Sequence, residues 1–132
     1  MAIKLGATAM GAFALYYFCA ASLIGQVAAK TGEATYYTPG GPPSACFNPP
    51  PGNGLFAAAS PDIFQNGGCG TYNTITCTGA TNGQPDACTD TPTVTVEIID
   101  VCPGCSEPGF ALSETAFSQI SYLSVGRINI TY

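Results

Sequence analysis

The sequence predicts a small, disulfide-stapled, mainly β domain, a barrel or a sandwich, placed behind an N-terminal export segment. Three observations carry this. Short runs rich in Thr, Val, Ile and Tyr recur along the chain, separated by long Gly/Pro loops. Only two short stretches carry helix-start signals. Six of the seven cysteines fall after residue 29, in a stretch whose modest core calls for covalent staples.

The export segment comes first. Lys4 is the only charge before Lys30, and the chain from Leu5 to Val27 is apolar or small. Val27-Ala28-Ala29 then supplies the small residues of a cleavage site, so residues 1–29 read as a secretory signal and residues 30–132 as one domain. An uncleaved anchor is the competing reading, since the uncharged run is long enough to span a bilayer. Removal also discards Cys19, leaving an even set: Cys46, Cys69, Cys77, Cys88, Cys102 and Cys105. In an exported chain these read as three disulfides, formed in an oxidising compartment. Sequence alone does not choose among the possible pairings.

Charge narrows the partners. Within residues 30–132, Lys30 and Arg127 face eight carboxylates. Two cations cannot neutralise a run of phosphates, which disfavours nucleic acid, and anionic membrane surfaces are disfavoured for the same reason. The chain contains neither His nor Trp, which removes His-based triads and His-ligated metal sites. No metal or cofactor is expected, and a monomer is.

The elements follow in order. Gly32 to Tyr37 reads as an opening strand, stopped by Thr38-Pro39-Gly40-Gly41-Pro42-Pro43. Leu55 to Ala59 is apolar and expected to be buried. Ser60-Pro61-Asp62 reads as a helix start, with Ser as cap, Pro at the first helical position and Asp in the first turn. Tyr72 to Cys77 reads as a strand, and a polar loop from Thr78 to Ala87 lies between Cys77 and Cys88. Bonding that pair staples a short loop, worth roughly 3 kcal/mol in the chain-entropy model.

Thr93 to Val101 gives the clearest alternation: Val94, Val96 and Ile98 on one face, Thr95 and Glu97 on the other. Strict alternation puts Asp100 in the Val94 row, pointing inward or into a mouth of the fold. Leu112 to Phe117 opens a second helix, with Ser113 as cap and Phe117 and Ile120 facing the core. The chain closes with Ile128, Ile130 and Tyr132 facing in.

Read together, several pieces resemble expansin-like EG45 domain proteins, the group that includes plant natriuretic-peptide-like proteins. They are Gly32–Tyr37, Ser44-Ala45-Cys46, Ala57–Ser60, Asn66–Gly70, Val96–Pro103, Leu112–Phe117 and Gly126–Ile130, in that order. The resemblance implies a six-stranded double-psi β-barrel. It implies pairing of Cys46 with Cys69, Cys77 with Cys88, and Cys102 with Cys105. It further implies a polysaccharide groove, with Thr35, Tyr37 and Asp100 at groove positions. Expansins proper carry a second, wall-binding domain, which is not expected here after Tyr132. Relatives commonly place an acidic residue directly before the Leu-Ser of the last helix, and here that position is Ala111.

Each candidate has a plainer alternative. Asp100 can line a groove or bind backbone N–H groups at a chain crossing. Glycoside cleavage needs two carboxylates; Ala111 removes one, and Glu33, Glu107 or Glu114 would have to replace it. Glu114, in a first helical turn, has a simpler explanation in the helix dipole. Tyr36 and Tyr37 alternate, so one is core and one, assigned as Tyr37, is free to stack on a sugar ring. Cys102-Pro103-Gly104-Cys105 has redox spacing but no helix to lower a thiol pKa, and reads as a structural disulfide. Asn129-Ile130-Thr131 is a glycosylation sequon. The resulting expectation is a secreted, non-enzymatic protein of the extracellular or cell-wall space that binds wall polysaccharide. The alternatives are a signalling or defence protein that binds an extracellular protein receptor, and a glycan-cleaving enzyme.

Overall fold

The structure, a computed structural model, describes residues 29–38, 44–46 and 49–132. Residues 1–28 of the predicted export segment, Cys19 among them, and residues 39–43 of the first Gly/Pro loop lie outside the described residues. Eight elements follow one another: β1 (Thr31–Tyr37), β2 (Phe56–Ala59), α1 (Pro61–Gly67), β3 (Tyr72–Ala80), β4 (Thr93–Val101), β5 (Gly109–Ser113), α2 (Glu114–Ile120) and β6 (Ile128–Thr131). Among the described residues no helix is long and apolar enough to cross a membrane.

The six strands close into a barrel in the order β1-β5-β2-β4-β3-β6, and β6 returns to pair with β1. Two pairs, β1–β5 and β2–β4, are parallel, and the other four are antiparallel. Parallel partners need crossover connections, and two interleaved crossovers give the double-psi topology. Inside lie Ile75, Val96, Ile98, Phe110, Leu112, Ile128 and Ile130, with Phe117 and Ile120 of α2 packed against them. Each such side chain contributes about 1.5–3 kcal/mol when fully buried. Ser113 Oγ accepts from Ala116 N at 3.1 Å and so caps α2.

Three disulfides complete the frame. Cys46–Cys69 ties the segment after β1 to the end of α1, Cys77–Cys88 clips the β3–β4 loop to β3, and Cys102–Cys105 closes the turn after β4.

Four details depart from the sequence reading. Leu112 does not open a helix: it belongs to β5, a fully buried strand with no polar–apolar alternation to reveal it. The buried stretch before α1 is likewise a strand, β2. β3 continues past Cys77 to Ala80, because β6 pairs with its far end across an irregularity between Cys77 and Gly79. Ser60 occupies the N-cap position of α1 but makes no side-chain cap. Its Oγ donates to Asp62 Oδ1 at 2.5 Å and accepts from Gly109 N at 3.0 Å, stitching the entry of α1 to the start of β5.

Candidate functional site

The site begins with a correction on β4. Asp100 does not continue the inward row of Val94, Val96 and Ile98. Opposite β2, Ala57 pairs with Ile98 but Ala58 pairs with Asp100, so β4 holds one extra residue, Ile99, at that point. Such a bulge reverses the alternation beyond it. Asp100 therefore shares the face of Ala58, outside the barrel, and is half-buried.

The same face gathers residues from three other strands. On β1, Ala34 enters the core and Tyr36 packs on Phe117 with ring centroids 5.0 Å apart, which turns Thr35 and Tyr37 outward. Thr35 lies opposite Ala111, Ala111 opposite Ala58, and Ala58 opposite Asp100. The row crosses four strands at roughly 4.8 Å per step, so Thr35 and Asp100 stand roughly 14 Å apart. Its floor is two methyl groups, those of Ala58 and Ala111.

Tyr37 flanks the row. Its ring meets Phe56 edge-on, with centroids 6.2 Å apart and planes at 82°. Burial, with the Asp100 charge as the smaller cause, pushes its hydroxyl up to about 12. Tyr37 is thus a neutral O–H donor at any physiological pH. Asp100 Oδ1 accepts from Ala45 N at 2.9 Å and Val101 N at 2.8 Å, and so anchors the chain segment next to Cys46. The backbone-binding and groove-lining readings of Asp100 are compatible, since these bonds occupy one carboxylate oxygen.

Beyond Tyr37, Thr38 Oγ1 donates to Glu114 Oε1 at 3.0 Å, so Glu114 is engaged with the end of β1 as well as with its helix. Beyond Thr35, a small hollow of about 100 Å³ is lined by Cys102, Cys105, Phe110 and Arg127. There Arg127 Nη1 lies 3.1 Å from Glu33 Oε1 and donates to Ser106 Oγ at 2.9 Å. Asn129 is the exposed residue of β6, opposite Glu33 of β1 and Gly79 of β3.

Methyl floor, aromatic flank, hydroxyls and one carboxylate suit a neutral polyhydroxylated chain. Two-carboxylate cleavage needs a partner for Asp100. Ala111, two strands away at roughly 9–10 Å, stands where a facing acid would complete such a pair. Among the described residues no cluster of three or more Cys, Asp or Glu is placed to hold a metal ion. Phe56, Ala58 and the Thr38–Glu114 contact were not legible as site features. Their membership follows from strand registers, and no local spacing encodes those.

The closed six-stranded barrel with its two helices and three disulfides is the fold of the expansin-like class of barrel proteins. A family model described as lytic transglycolase matches residues 56–132. An EG45-like domain containing protein of Citrus jambhiri is 42% identical over 106 residues, covering 79% of this chain and 80% of that one. The putative EG45-like domain containing protein 1 of Arabidopsis thaliana is 38% identical over 105 residues, covering 79% and 82%. The chain belongs to the EG45-like domain family. Among solved structures, the apo form of Clavibacter michiganensis expansin matches with a TM-score of 0.60 and 28% identity, over 79% of this chain. The chain spans 48% of that expansin's length. A substituted form of the same expansin, solved in complex with cellohexaose, matches with a TM-score of 0.61.

Proposed function

We propose that this chain is a secreted, non-enzymatic protein of the cell-wall space that binds a neutral wall polysaccharide along the strip from Thr35 to Asp100. The observation that carries the reading is the register row itself. Four strands align Thr35, Ala111, Ala58 and Asp100 into one shallow track, with Tyr37 beside it. The cellohexaose complex of the related expansin supports a β-linked glucan as ligand class. The track supplies stacking area and hydrogen bonds. The methyl of Ala111 leaves Asp100 without a facing acid, and a positioned proton donor is what glycoside cleavage requires.

Retention of the full chain on insoluble cellulose and xylan tests this, with Tyr37→Ala and Thr35→Ala as site variants. Retention that falls severalfold in both supports the strip, and retention unchanged in both overturns it. Product analysis of the wild type and Ala111→Asp tests the absence of catalysis: soluble sugar release by the wild type would refute it. Export with cleavage after Ala29 is read by mass spectrometry of the secreted protein, which should begin at Lys30. A mass loss on enzymatic deglycosylation, abolished by Asn129→Gln, would establish the sequon as used.

A further inference from the structure

We propose that the open mouth of the barrel is a second glycan-binding site, distinct from the outer strip, that takes a neutral pyranose unit. A cleft of about 450 Å³ opens there, within the roughly 300–1,000 Å³ typical of ligand sites. Two inward-facing rows end in polar residues at this mouth. On β6 the row Ile128, Ile130 continues to Tyr132, whose ring meets Phe110 edge-on at 5.2 Å. On β3 the row Cys77, Ile75 continues to Asn73, opposite the core residue Val96. Because Cys77 pairs with Ile130 in antiparallel register, both rows run out at the same end.

The remaining wall is α1 and the start of β3. Asp62 and Asn66 line the cleft from the helix, Tyr72 from the start of β3, and Lys30 from the residue before β1. Tyr72 is 68% exposed, an unusual position for a large aromatic, and its hydroxyl donates to Glu97 Oε1 at 3.1 Å, which ties the ring to β4. Asn66 Nδ2 donates to Asp62 O at 3.1 Å, which fixes the amide with its oxygen free to accept. Asp62 and Tyr132 line the same cleft, and burial, with the Asp62 charge as the smaller cause, raises the pKa of the Tyr132 hydroxyl.

The chemistry selects the ligand class. Asp62 and Lys30 balance in charge, so neither an anion nor a metal cation is favoured. An apolar ligand would strip water from Asp62, Asn66 and Asn73 and offer no new hydrogen bond in return, at a cost that opposes binding. A pyranose offers hydroxyls to the two amides and the carboxylate, and C–H faces to Tyr72 and Tyr132. None of the residues lining the mouth belongs to the Thr35–Asp100 strip, so the domain could grip two glycan segments at once.

Titration of the isotope-labelled, disulfide-intact full chain with cellobiose and xylobiose, followed by amide NMR, tests this. With at least one disaccharide, saturable shifts of Asn66, Asn73 and Tyr132 are expected. Tyr72→Ala should weaken them about fivefold, a change of about 1 kcal/mol, and Asn66→Ala should do so comparably. Tyr37→Ala, in the outer strip, should leave them unchanged. No shift of these amides by either sugar at about 10 mM, or equal affinity in the wild type and both mouth variants, would overturn the proposal. Shifts of Thr35 and Tyr37 with cellohexaose report the outer strip separately, so one site can fail without the other.

Discussion

Replacing Asp100 tests the architecture and the proposed site together. Asp100→Ala deletes the acceptor of the Ala45 and Val101 N–H groups. A hydrogen bond to a charged group contributes about 1.5–3 kcal/mol. Water can replace the carboxylate at exposed Ala45, and the Val101 bond spans adjacent residues, so the two together come to about 2 kcal/mol. For a domain of this size 1 kcal/mol moves Tm by about 4–8 °C, which puts the loss at about 10 °C. Unfolding should stay cooperative, because Cys46–Cys69 holds the anchored segment independently. Asp100→Asn keeps an acceptor oxygen and loses the charge, so about half that loss is expected. Calorimetry on the three proteins reads the stability series. Cellohexaose titration should show affinity falling about tenfold in both variants. An Ala variant melting within about 2 °C of the wild type would refute the anchoring argument. Unaltered affinity in both would remove Asp100 from the site whatever its structural role.

Other outcomes follow from the same geometry. Alkaline spectrophotometric titration should show Tyr37 ionising near pH 12. Asp100→Asn should leave most of that elevation, because burial is its larger cause. A folded-state value above the unfolded one means stability present below about pH 10 and lost as pH rises through about 12, and Tyr37→Phe should flatten that slope. Ser60→Ala leaves the buried Gly109 N–H without its acceptor and should cost about 1–3 kcal/mol in urea unfolding; a loss below about 0.5 kcal/mol would contradict the stitch. Arg127→Ala breaks a pair whose side chains are 47% and 39% exposed, and should change stability by less than about 1 kcal/mol in a salt-dependent manner.

Elements whose pattern is local were readable from the chain. Alternation across Thr93–Ile98 and Ile128–Tyr132 marks β4 and β6, and Ser113 marks the start of α2. β2 and β5 were not readable this way. Every residue of both strands is buried, and Ala57, Ala58, Phe110 and Leu112 belong to apolar runs with no polar–apolar period to detect. Resemblance to the family, and not periodicity, implied six strands. Ser60 shows a second limit. Its position predicts a cap, but a strand start distant in sequence offered its hydroxyl a better use, and tertiary context overrode the local preference.

The bulge at Ile99 carries the largest consequence, because it decides what Asp100 can do. Without the extra residue, Asp100 would follow Val96 and Ile98 into the core, where an unpaired carboxylate is very costly. With it, the carboxylate reaches the outer face and meets two backbone donors. Ala58 becomes the step between Asp100 and Ala111 in the same move, so one inserted residue creates the track, and the Ala at position 111 leaves it without a second acid. An acid at position 111 would stand on a backbone position roughly 9–10 Å from that of Asp100, near the upper end of the carboxyl spacing of inverting hydrolysis, about 6.5–9.5 Å. Ala111→Asp is therefore the sharpest probe of whether this barrel lacks only a proton donor. Its methyl is 8% exposed, so the variant must first find room for a carboxylate. A variant that folds, binds cellohexaose and still releases no sugar would show that the missing acid is not the sole barrier to cleavage.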